Sequence, residues 1–559
     1  MAAQVNAVFT PFAAPTPMLF PADAQPRPDP ENRMRPPSAT IALALALAVV
    51  APSAPAQQRL PDIGSSADTL LGPTQQQEYG QMLLAQLRHY DYVLDDPLVD
   101  TWLRGLGNRL ASASDQPEQS FTFFMMKDRS INAFATLGGY IGTNAGLVLA
   151  AESEDEVAGV LAHEVAHVTQ AHVLRGVERA QRDSVPILLA MLGAVAVAAQ
   201  SDSRSSGNAA MAAVAGAQGL MVQRQIDYTR SNESEADRLG MRTLSRSGYD
   251  TAAMARMFER MQAMSRTNQG GERERLPDYM RTHPVTTTRI SETRQLAEQL
   301  GDRKVGALTT TGLAGNNPLL PPGLRPGGLE QNASGGQFGW ARERLRALSA
   351  DTPTQAIAEY GRLARAGGLD DAQRYGLAVA QLRAGNGAEA ARELEALLES
   401  HPGDTWLLVG LAQAEARAGR HSAADARFED LVRRMPRNRA VVLAYAEVLA
   451  ERNNAEAGRR AQDILRPLMA SSGEDPVFQR TFARASEIAG DPVRAGEAWA
   501  ETAYLNGRAE QALVQLNTLR KRDDLDYYAR ARIDARIAAI TPTVLELRRQ
   551  GIRDPDLRK

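Results

Sequence analysis

The sequence predicts a mainly α-helical protein in which a small α+β domain is followed by an α-solenoid. Strand-like runs at 121–126 and 131–148 precede a long helical stretch at 151–300, and this order indicates the α+β domain. From residue 337 onward the chain is helical nearly to its end and repeats with a period of 34 residues, which indicates the solenoid. Residues 301–336 are too rich in proline and glycine for either element, and we interpret them as a linker.

The composition limits the possible classes of function. With 559 residues, of which 43% are hydrophobic, the chain can bury more than one core. Its 63 basic and 66 acidic residues leave a formal net charge of -3, which gives no electrostatic basis for binding nucleic acid. Because cysteine is absent, disulfides and thiolate metal sites are excluded.

Residues 1–56 have the outline of an N-terminal extension followed by a secretory signal peptide. The apolar run at 41–51 follows two arginines and is too short to cross a bilayer as a finished helix. An A-x-A sequence that ends at Ala56 predicts a mature chain starting at Gln57, and Met34 is a candidate start of translation. The alternative is an N-terminal membrane anchor, which the short apolar run disfavours.

The C-terminal zone, residues 337–545, carries a repeat. Small residues recur every 34 positions at Ala356, Ala390 and Ala424, and a fourth copy, offset by an insertion, is predicted at Ala495. Large side chains and prolines keep the same spacing: Tyr360, Leu394, Phe428, Pro402 and Pro436. This pattern is typical of tetratricopeptide repeats, whose concave surface binds peptide segments or partner proteins. An unrelated helical bundle is the alternative, which the constant phase disfavours.

Residues 160–172, VLAHEVAHVTQAH, place two histidines and a glutamate in the middle of a helix that is apolar on nearly every side, with a third histidine at the end of the stretch. A capping box of Ser153 and Glu156 predicts where this helix begins. A lone carboxylate in such a place costs on the order of several kcal/mol unless it is compensated, and a metal ion with its water compensates it. The domain at 57–300 is therefore predicted to contain a metal site.

His163 and His167 are four residues apart, so their imidazoles project from the same side of the helix and can bind one cation. Glu164 lies next to them, in a position to take a proton from water, as the H-E-x-x-H motif requires. We predict one zinc ion per chain. His172 is a poorer ligand candidate, because its position on the helix points it away from the pair. The alternative is a pair of accidental core histidines.

Catalytic zinc normally takes three protein ligands, and residues 231–240, SNESEADRLG, supply a candidate for the third. Glu233 and Asp237 are four apart on a second predicted helix and share one face. We predict that Glu233 binds the metal and that Asp237 holds a ligand histidine by its second nitrogen. Glu235 points elsewhere and is expected to be solvated. Two acids on a helix more often form a solvated surface, which is the alternative for this pair.

The segments HEVAH, ESEAD and THPVTTTR resemble the peptidase family of the CaaX prenyl protease and the heat-shock protease HtpX. The resemblance covers about residues 57–300 and implies a gluzincin-type metalloprotease domain, with His163, His167 and Glu233 as zinc ligands and Glu164 as the catalytic acid/base. The signal peptide and the repeats are similar to those of periplasmic relatives. They imply a periplasmic location, misfolded or stalled outer-membrane β-barrel proteins as substrates, and docking of the repeats to the β-barrel assembly machinery.

The same resemblance includes a His-Pro pair followed by an arginine six residues after the histidine, here His283 and Arg289. Arg289 is expected to support the metal ligands. An imidazole at the zinc has two uses: it donates to the oxyanion of the tetrahedral intermediate, or it occupies the open coordination position and silences the enzyme. We favour silencing, because a protease among salvageable substrates needs restraint. A histidine in a surface loop is the remaining alternative.

The substrate is predicted to bind as a strand. Residues 131–142, just before the catalytic helix, are expected to offer an open sheet edge, with Asn132 and Ala133 making backbone contacts to an extended peptide. A plain core strand is the alternative.

Two apolar runs, 187–199 and 209–222, are too short to be convincing transmembrane helices. They predict an α-hairpin near the active site or in peripheral contact with the membrane surface, and ordinary buried helices are the alternative. A second class of function also stays open, in which the protein is mainly a chaperone or scaffold and the zinc site is largely latent.

Overall fold

The computed structural model describes residues 71–179, 229–267, 277–301 and 337–549. The predicted signal peptide, the apolar pair at 187–222 and all but the first residue of the predicted linker lie outside these ranges. Within them the chain is mainly helical with one small sheet, which confirms the predicted fold class. No helix in the ranges given is both long and apolar enough to cross a membrane.

Helices surround a small sheet in the first part of the chain. The strands are β1 (Thr122–Met126), β2 (Ala133–Ala135) and β3 (Tyr140–Asn144). The helices are α1 (Pro73–His89), α2 (Pro97–Ser112), α3 (Ala145–Ala150), α4 (Glu154–Thr169), α5 (172–179), α6 (229–246), α7 (Ala252–Thr267), α8 (Asp278–Thr282) and α9 (Thr287–Gly301).

The sheet has the order β1-β3-β2, with β1 parallel and β2 antiparallel to β3. The prediction of one strand-like run over 131–148 was wrong, because the chain reverses at Gly138 and Gly139. Their φ angles of 72° and 80° lie in the left-handed region that favours glycine. A Cβ on Gly139 would lie 2.1 Å from the carbonyl oxygen of Ser120, so the hairpin requires glycine there. The end of the run forms α3.

Helix α4 begins where the sequence predicts. The Ser153 side chain accepts a hydrogen bond from the backbone N–H of Glu156, 3.3 Å away, which caps the first turn. Gly240 of α6 faces this helix, and a Cβ there would lie 3.0 Å from the backbone nitrogen of His163. This close approach of the two backbones brings the acids of α6 beside the histidines of α4.

Helix α4 ends at Thr169, so the expectation that it continues through His172 was wrong. The backbone turns at Ala171, whose φ is 49°, and α5 begins at the next residue. His172 is therefore turned back toward the end of α4 instead of continuing along its helical face. Nothing in the local sequence marks this turn, since it uses an alanine where glycine or asparagine is usual.

The second part of the chain consists of successive helix pairs, the arrangement that the repeat predicts. The pairs are α10 (Gln337–Leu348) and α11 (Pro353–Gly367), α12 (Asp371–Arg383) and α13 (Gly387–Ser400), α14 (Thr405–Arg417) and α15 (His421–Arg434), α16 (Arg439–Glu451) and α17 (Ala455–Leu465), α18 (Pro476–Ala489) and α19 (Pro492–Leu505), and α20 (Ala509–Arg520) and α21 (Tyr527–Arg549).

The period of 34 residues appears in the capping residues at the starts of helices as well as in the buried residues. Asp370, Asp404 and Asn438 each cap a helix by accepting a hydrogen bond from the backbone N–H three residues later. The copy predicted at Ala495 is the fifth and not the fourth. The fourth small residue is Gly458, where a Cβ would lie 2.5 Å from the backbone nitrogen of Ala489. Glycine at this close helix crossing interrupts the alanine pattern.

Charged side chains connect the repeats to the first domain. Arg344 of α10 donates to both carboxylate oxygens of Asp96, at 2.8 and 2.7 Å, and both side chains are buried. Arg439 of α16 lies 3.4 Å from Asp100 of α2. A continuous cluster of buried hydrophobic residues also runs from α2 and α4 into the repeats. The first domain and the repeats therefore share one packed interior.

Candidate metal centre

Four side chains converge between α4, α6 and the end of α8. His163, His167, Glu233 and His283 each offer one ligand atom, and these atoms lie within 4.8 Å of one another. The Nε2 atoms of His163 and His167 are 2.9 Å apart. Glu233 Oε2 lies 3.3 Å from His163 Nε2, and Glu233 Oε1 lies 3.4 Å from His167 Nε2. The structure thus brings together the three predicted ligands, with His283 as a fourth member.

His163 is held from behind by a carboxylate. Asp237 Oδ1 lies 2.9 Å from His163 Nδ1, the second nitrogen of the ring. Arg289 donates to both oxygens of Asp237 at 2.7 Å, and its Nη1 lies 2.8 Å from Glu233 Oε2. The structure therefore places Asp237 and Arg289 directly behind the predicted ligands, in contact with two of them.

His167 is held by a different set of residues, which sequence reasoning missed. His172 Nδ1 lies 2.8 Å from His167 Nδ1, and His172 Nε2 lies 3.0 Å from Glu235 Oε2. Arg175 donates to the same Glu235 oxygen at 3.3 Å. The expectation that Glu235 is simply solvated was wrong, because the turn at Ala171 returns His172 to this face.

His283 lies between the two glutamates of the site. Its Nδ1 is 2.9 Å from Glu233 Oε1, and its Nε2 is 3.7 Å from Glu164 Oε1. The ring stacks on Tyr279, with centroids 4.7 Å apart and an interplanar angle of 24°. Tyr279, a second residue that sequence reasoning missed, is fully buried and donates its backbone N–H to the carbonyl of Ile131 at 3.0 Å.

Glu164 is the unusual acid of the site. It is 1% exposed, and neither carboxylate oxygen has a hydrogen-bond partner among the residues that the structure describes. A buried carboxylate without partners is costly, and such groups occur mainly where a function needs them. Its Oε1 lies 3.7 Å from His283 Nε2, so Glu164 lies beside the cluster.

The electrostatics of the cluster favour an ionised glutamate. Burial raises the pKa of Glu233, but hydrogen bonds from His163, His167 and His283 outweigh burial and hold that pKa well below its usual range. Burial lowers the pKa of His167 to about 3, which keeps its ring neutral. Burial also lowers the pKa of His163, but the hydrogen bonds to Asp237 and Glu233 outweigh it and raise the pKa to about 9. A cation bound here would displace that proton.

The donor set fits zinc. Ligand atoms on a tetrahedral zinc ion with bonds of about 2.0–2.1 Å lie about 3.3 Å apart. In the structure the two Nε2 atoms are 2.9 Å apart, Glu233 Oε2 lies 3.3 Å from that of His163, and the other oxygen, Oε1, lies 3.4 Å from that of His167, so the three side chains enclose a volume of similar size. Because each ring turns its Nδ1 outward, to Asp237 or to His172, both Nε2 atoms point into the same volume. Two imidazoles and one carboxylate are a common ligand set of catalytic zinc.

The predicted peptide-binding edge is only partly available. The carbonyl of Asn132 accepts the backbone N–H of Asn144 inside the sheet, at 3.0 Å, so it cannot pair with a peptide. The Oδ1 atom of the Asn132 side chain is buried and has no hydrogen-bond partner within the described ranges. Ala133 belongs to the edge strand β2 but is fully buried, and Tyr279 occupies the carbonyl of Ile131 beside it. The segment that carries His283 thus covers this end of β2.

Comparison with known proteins agrees with this arrangement. Residues 97–297 match peptidase family M48, and residues 381–436 match a tetratricopeptide repeat family. The chain is 32% identical to the β-barrel assembly-enhancing protease of Escherichia coli K12 over 360 residues, which cover 64% of this chain and 67% of that protein. It is 39% identical over 258 residues to a Vibrio cholerae protein that carries the same name provisionally, covering 45% of this chain.

The chain spans about half the length of the Vibrio cholerae relative, 51%, in that alignment. It is also 26% identical to the metalloprotease LoiP of Escherichia coli K12 over 192 residues, which cover 34% of this chain and 68% of LoiP. These matches agree with the H-E-x-x-H helix, with the carboxylate of Glu233 as the third ligand, and with the repeats. The chain belongs to peptidase family M48, as a member with C-terminal tetratricopeptide repeats that is similar to β-barrel assembly-enhancing proteases.

Proposed function

We propose that this protein is a zinc-dependent endopeptidase of the periplasm. One observation carries the proposal: His163, His167 and Glu233 converge beside Glu164, a buried carboxylate that none of the described residues neutralises by hydrogen bonding. When bound, zinc supplies a Lewis acid that polarises the scissile carbonyl and makes water easier to deprotonate. Membership of a metallopeptidase family supports this reaction class.

The residues of the chain have separate tasks in this mechanism. Glu164 takes the proton of the attacking water and passes it to the leaving amine, which is general base and then general acid catalysis. Asp237 holds the ring of His163 with Nε2 directed inward. Arg289 contacts both Asp237 and Glu233, and its positive charge favours the ionised form of both carboxylates.

His283 restrains the enzyme in this proposal. Four protein ligands close a zinc site, whereas catalytic sites leave one position open. The Nδ1 atom of His283 is hydrogen-bonded to Glu233, within the ligand cluster, and the segment before it pairs with Ile131 beside the strand edge. Movement of this segment would free a coordination position and the end of β2 together. This arrangement favours the silencing role over the oxyanion role.

The substrates that we propose are misfolded or stalled outer-membrane β-barrel proteins. The similarity to proteases named for β-barrel assembly supports this class, and the repeats supply a surface for binding the substrates or the assembly machinery. The predicted signal peptide supports the periplasm as the location. An extended peptide would pair with β2 once the segment at 277–283 has moved.

The test compares the full chain with Glu164→Gln on an unfolded outer-membrane β-barrel protein. Glu164→Gln removes the base but none of the three ligands, so we expect full zinc content and a loss of turnover of about 10²- to 10⁴-fold. Glu451→Gln, which changes an exposed glutamate in the repeats, is the matched control and should cleave like the wild type. Retained cleavage by pure Glu164→Gln protein would contradict the proposal.

The second candidate function is that of a chaperone or scaffold with a latent zinc site. The position of His283 within the ligand cluster favours it, because a closed site does not cleave. The two functions differ in cells. If Glu164→Gln fully complements a deletion and leaves an uncleaved complex trapped on the repeats, the scaffold is the main function. Loss of complementation identifies the protease as the main function.

A further inference from the structure

The two ligand histidines are supported by two different kinds of partner. Asp237, a carboxylate, lies behind His163, whereas behind His167 lies another histidine, His172. His172 is 5% exposed and reaches Glu235 of α6 with its other nitrogen, at 3.0 Å. Solvent therefore has little access to the place where His172 meets His167.

The chemistry of a neutral imidazole sets the direction of these hydrogen bonds. A ring that binds metal through Nε2 carries its proton on Nδ1, so His167 donates to His172 Nδ1. His172 then has its own proton on Nε2, where the carboxylate of Glu235 can only accept. Arg175 donates to the same Glu235 oxygen at 3.3 Å and completes the series. Reversing either tautomer would set two donors or two acceptors against each other.

Behind each ligand histidine, the series of contacts ends at an arginine. His163 contacts Asp237, which contacts Arg289. His167 contacts His172, which contacts Glu235, and Glu235 contacts Arg175. In each case an arginine contacts the carboxylate that lies next to the last imidazole. His172 bridges His167 and Glu235, because Glu235 of α6 lies next to α5 and not next to the end of α4.

We propose that His172 and Glu235 are positioning residues, which fix the tautomer and ring orientation of His167 for zinc. This inference rests on the proposed zinc site. Removing a residue that orients a metal ligand typically lowers metal affinity by about 10- to 100-fold. A purely structural role for His172 would change the stability of the metal-free protein and leave zinc affinity alone.

The experiment measures the zinc affinity of the full chain by competition with a chromophoric chelator. His172→Phe keeps a ring of similar size but has no acceptor, and we expect affinity to fall about 10- to 100-fold. His172→Gln retains an acceptor for the His167 proton and should recover part of that loss. His401→Phe is the matched control. His401 contacts Asp371 in the repeats through Nε2 at 2.9 Å, so this variant removes a similar histidine–carboxylate pair away from the site.

The thermal midpoint of the metal-free protein is recorded for every variant. If wild type binds no zinc, the proposed function fails; if wild type binds zinc and His172→Phe binds it equally well, only the positioning role fails. Should His172→Phe not fold, Glu235→Leu decides the question, because the side chain of Glu235 is 31% exposed and its replacement leaves no cavity in the core. Weaker zinc binding by Glu235→Leu at an unchanged midpoint supports the inference, and unchanged binding overturns it.

Discussion

Replacement of His283 by alanine separates the two roles that sequence reasoning left open. In the silencing role, the ring must leave Glu233 before the site can work. Leaving breaks the 2.9 Å hydrogen bond between His283 Nδ1 and the ionised carboxylate of Glu233. A hydrogen bond to a charged group contributes about 1.5–3 kcal/mol. His283→Ala removes this barrier to opening and should raise turnover by about 10- to 100-fold, since about 1.4 kcal/mol corresponds to a factor of ten.

The assay follows cleavage of an unfolded β-barrel protein under single-turnover conditions, with zinc content measured on the same samples. His401→Ala, a histidine replacement in the repeats, should leave the rate unchanged. If His283 stabilises the oxyanion, His283→Ala lowers turnover by about 10²- to 10³-fold instead. A rate equal to that of wild type at full zinc content would refute both roles and would show that His283 is an ordinary loop histidine.

Four further outcomes are expected. Asp96→Asn should lower the thermal midpoint of the full chain by about 3–5 °C, because breaking a buried pair costs about 3–5 kcal/mol and a chain of this length loses about 1 °C per kcal/mol. The exposed control Glu451→Ala should cost less than about 1 kcal/mol. Burial raises the pKa of Asp96 but Arg344 outweighs it and lowers that pKa, so this difference from wild type should shrink as pH falls below about 4 in midpoint measurements. Gly240→Val should reduce zinc content measured on purified protein, because its side chain would push α6 away from His163. Arg129→Met should raise KM more than it lowers kcat in peptide cleavage.

The sequence was most informative at positions where the residue type has a single strong physical explanation. A buried glutamate between two histidines four apart on a helix has few stable explanations other than a metal, and the cluster lies where that motif predicts. The helix pairs followed from Ala356, Ala390 and Ala424, which are all fully buried. In both cases the period of the helix converts spacing directly into a shared face.

The sequence was least informative where the backbone turns without a signal. Ala171 adopts a left-handed conformation that alanine rarely takes, so the contact of His172 with His167 depends on packing between helices and not on local preference. Gly458 concealed the fourth repeat for a related reason, because the closeness of the crossing is a property of two helices. The same limit applied to Ala133, which is buried where β2 packs against α4, because such packing is a property of two elements and not of the local sequence.

The first helix pair of the repeats contacts the loop that leads into β2. Arg129, in that loop, donates to Ser349 and to Glu359 at 2.9 Å, and α10 also packs on α3, which follows β3 at the same end of the hairpin. Only three residues separate Arg129 from Ala133, so a shift of α10 and α11 would be passed on to β2 through this short connection. A partner that moves this helix pair would therefore change the position of the strand edge before it changes the metal ligands. For this reason the loss of Arg129 should weaken substrate binding and leave the chemistry at Glu164 nearly intact.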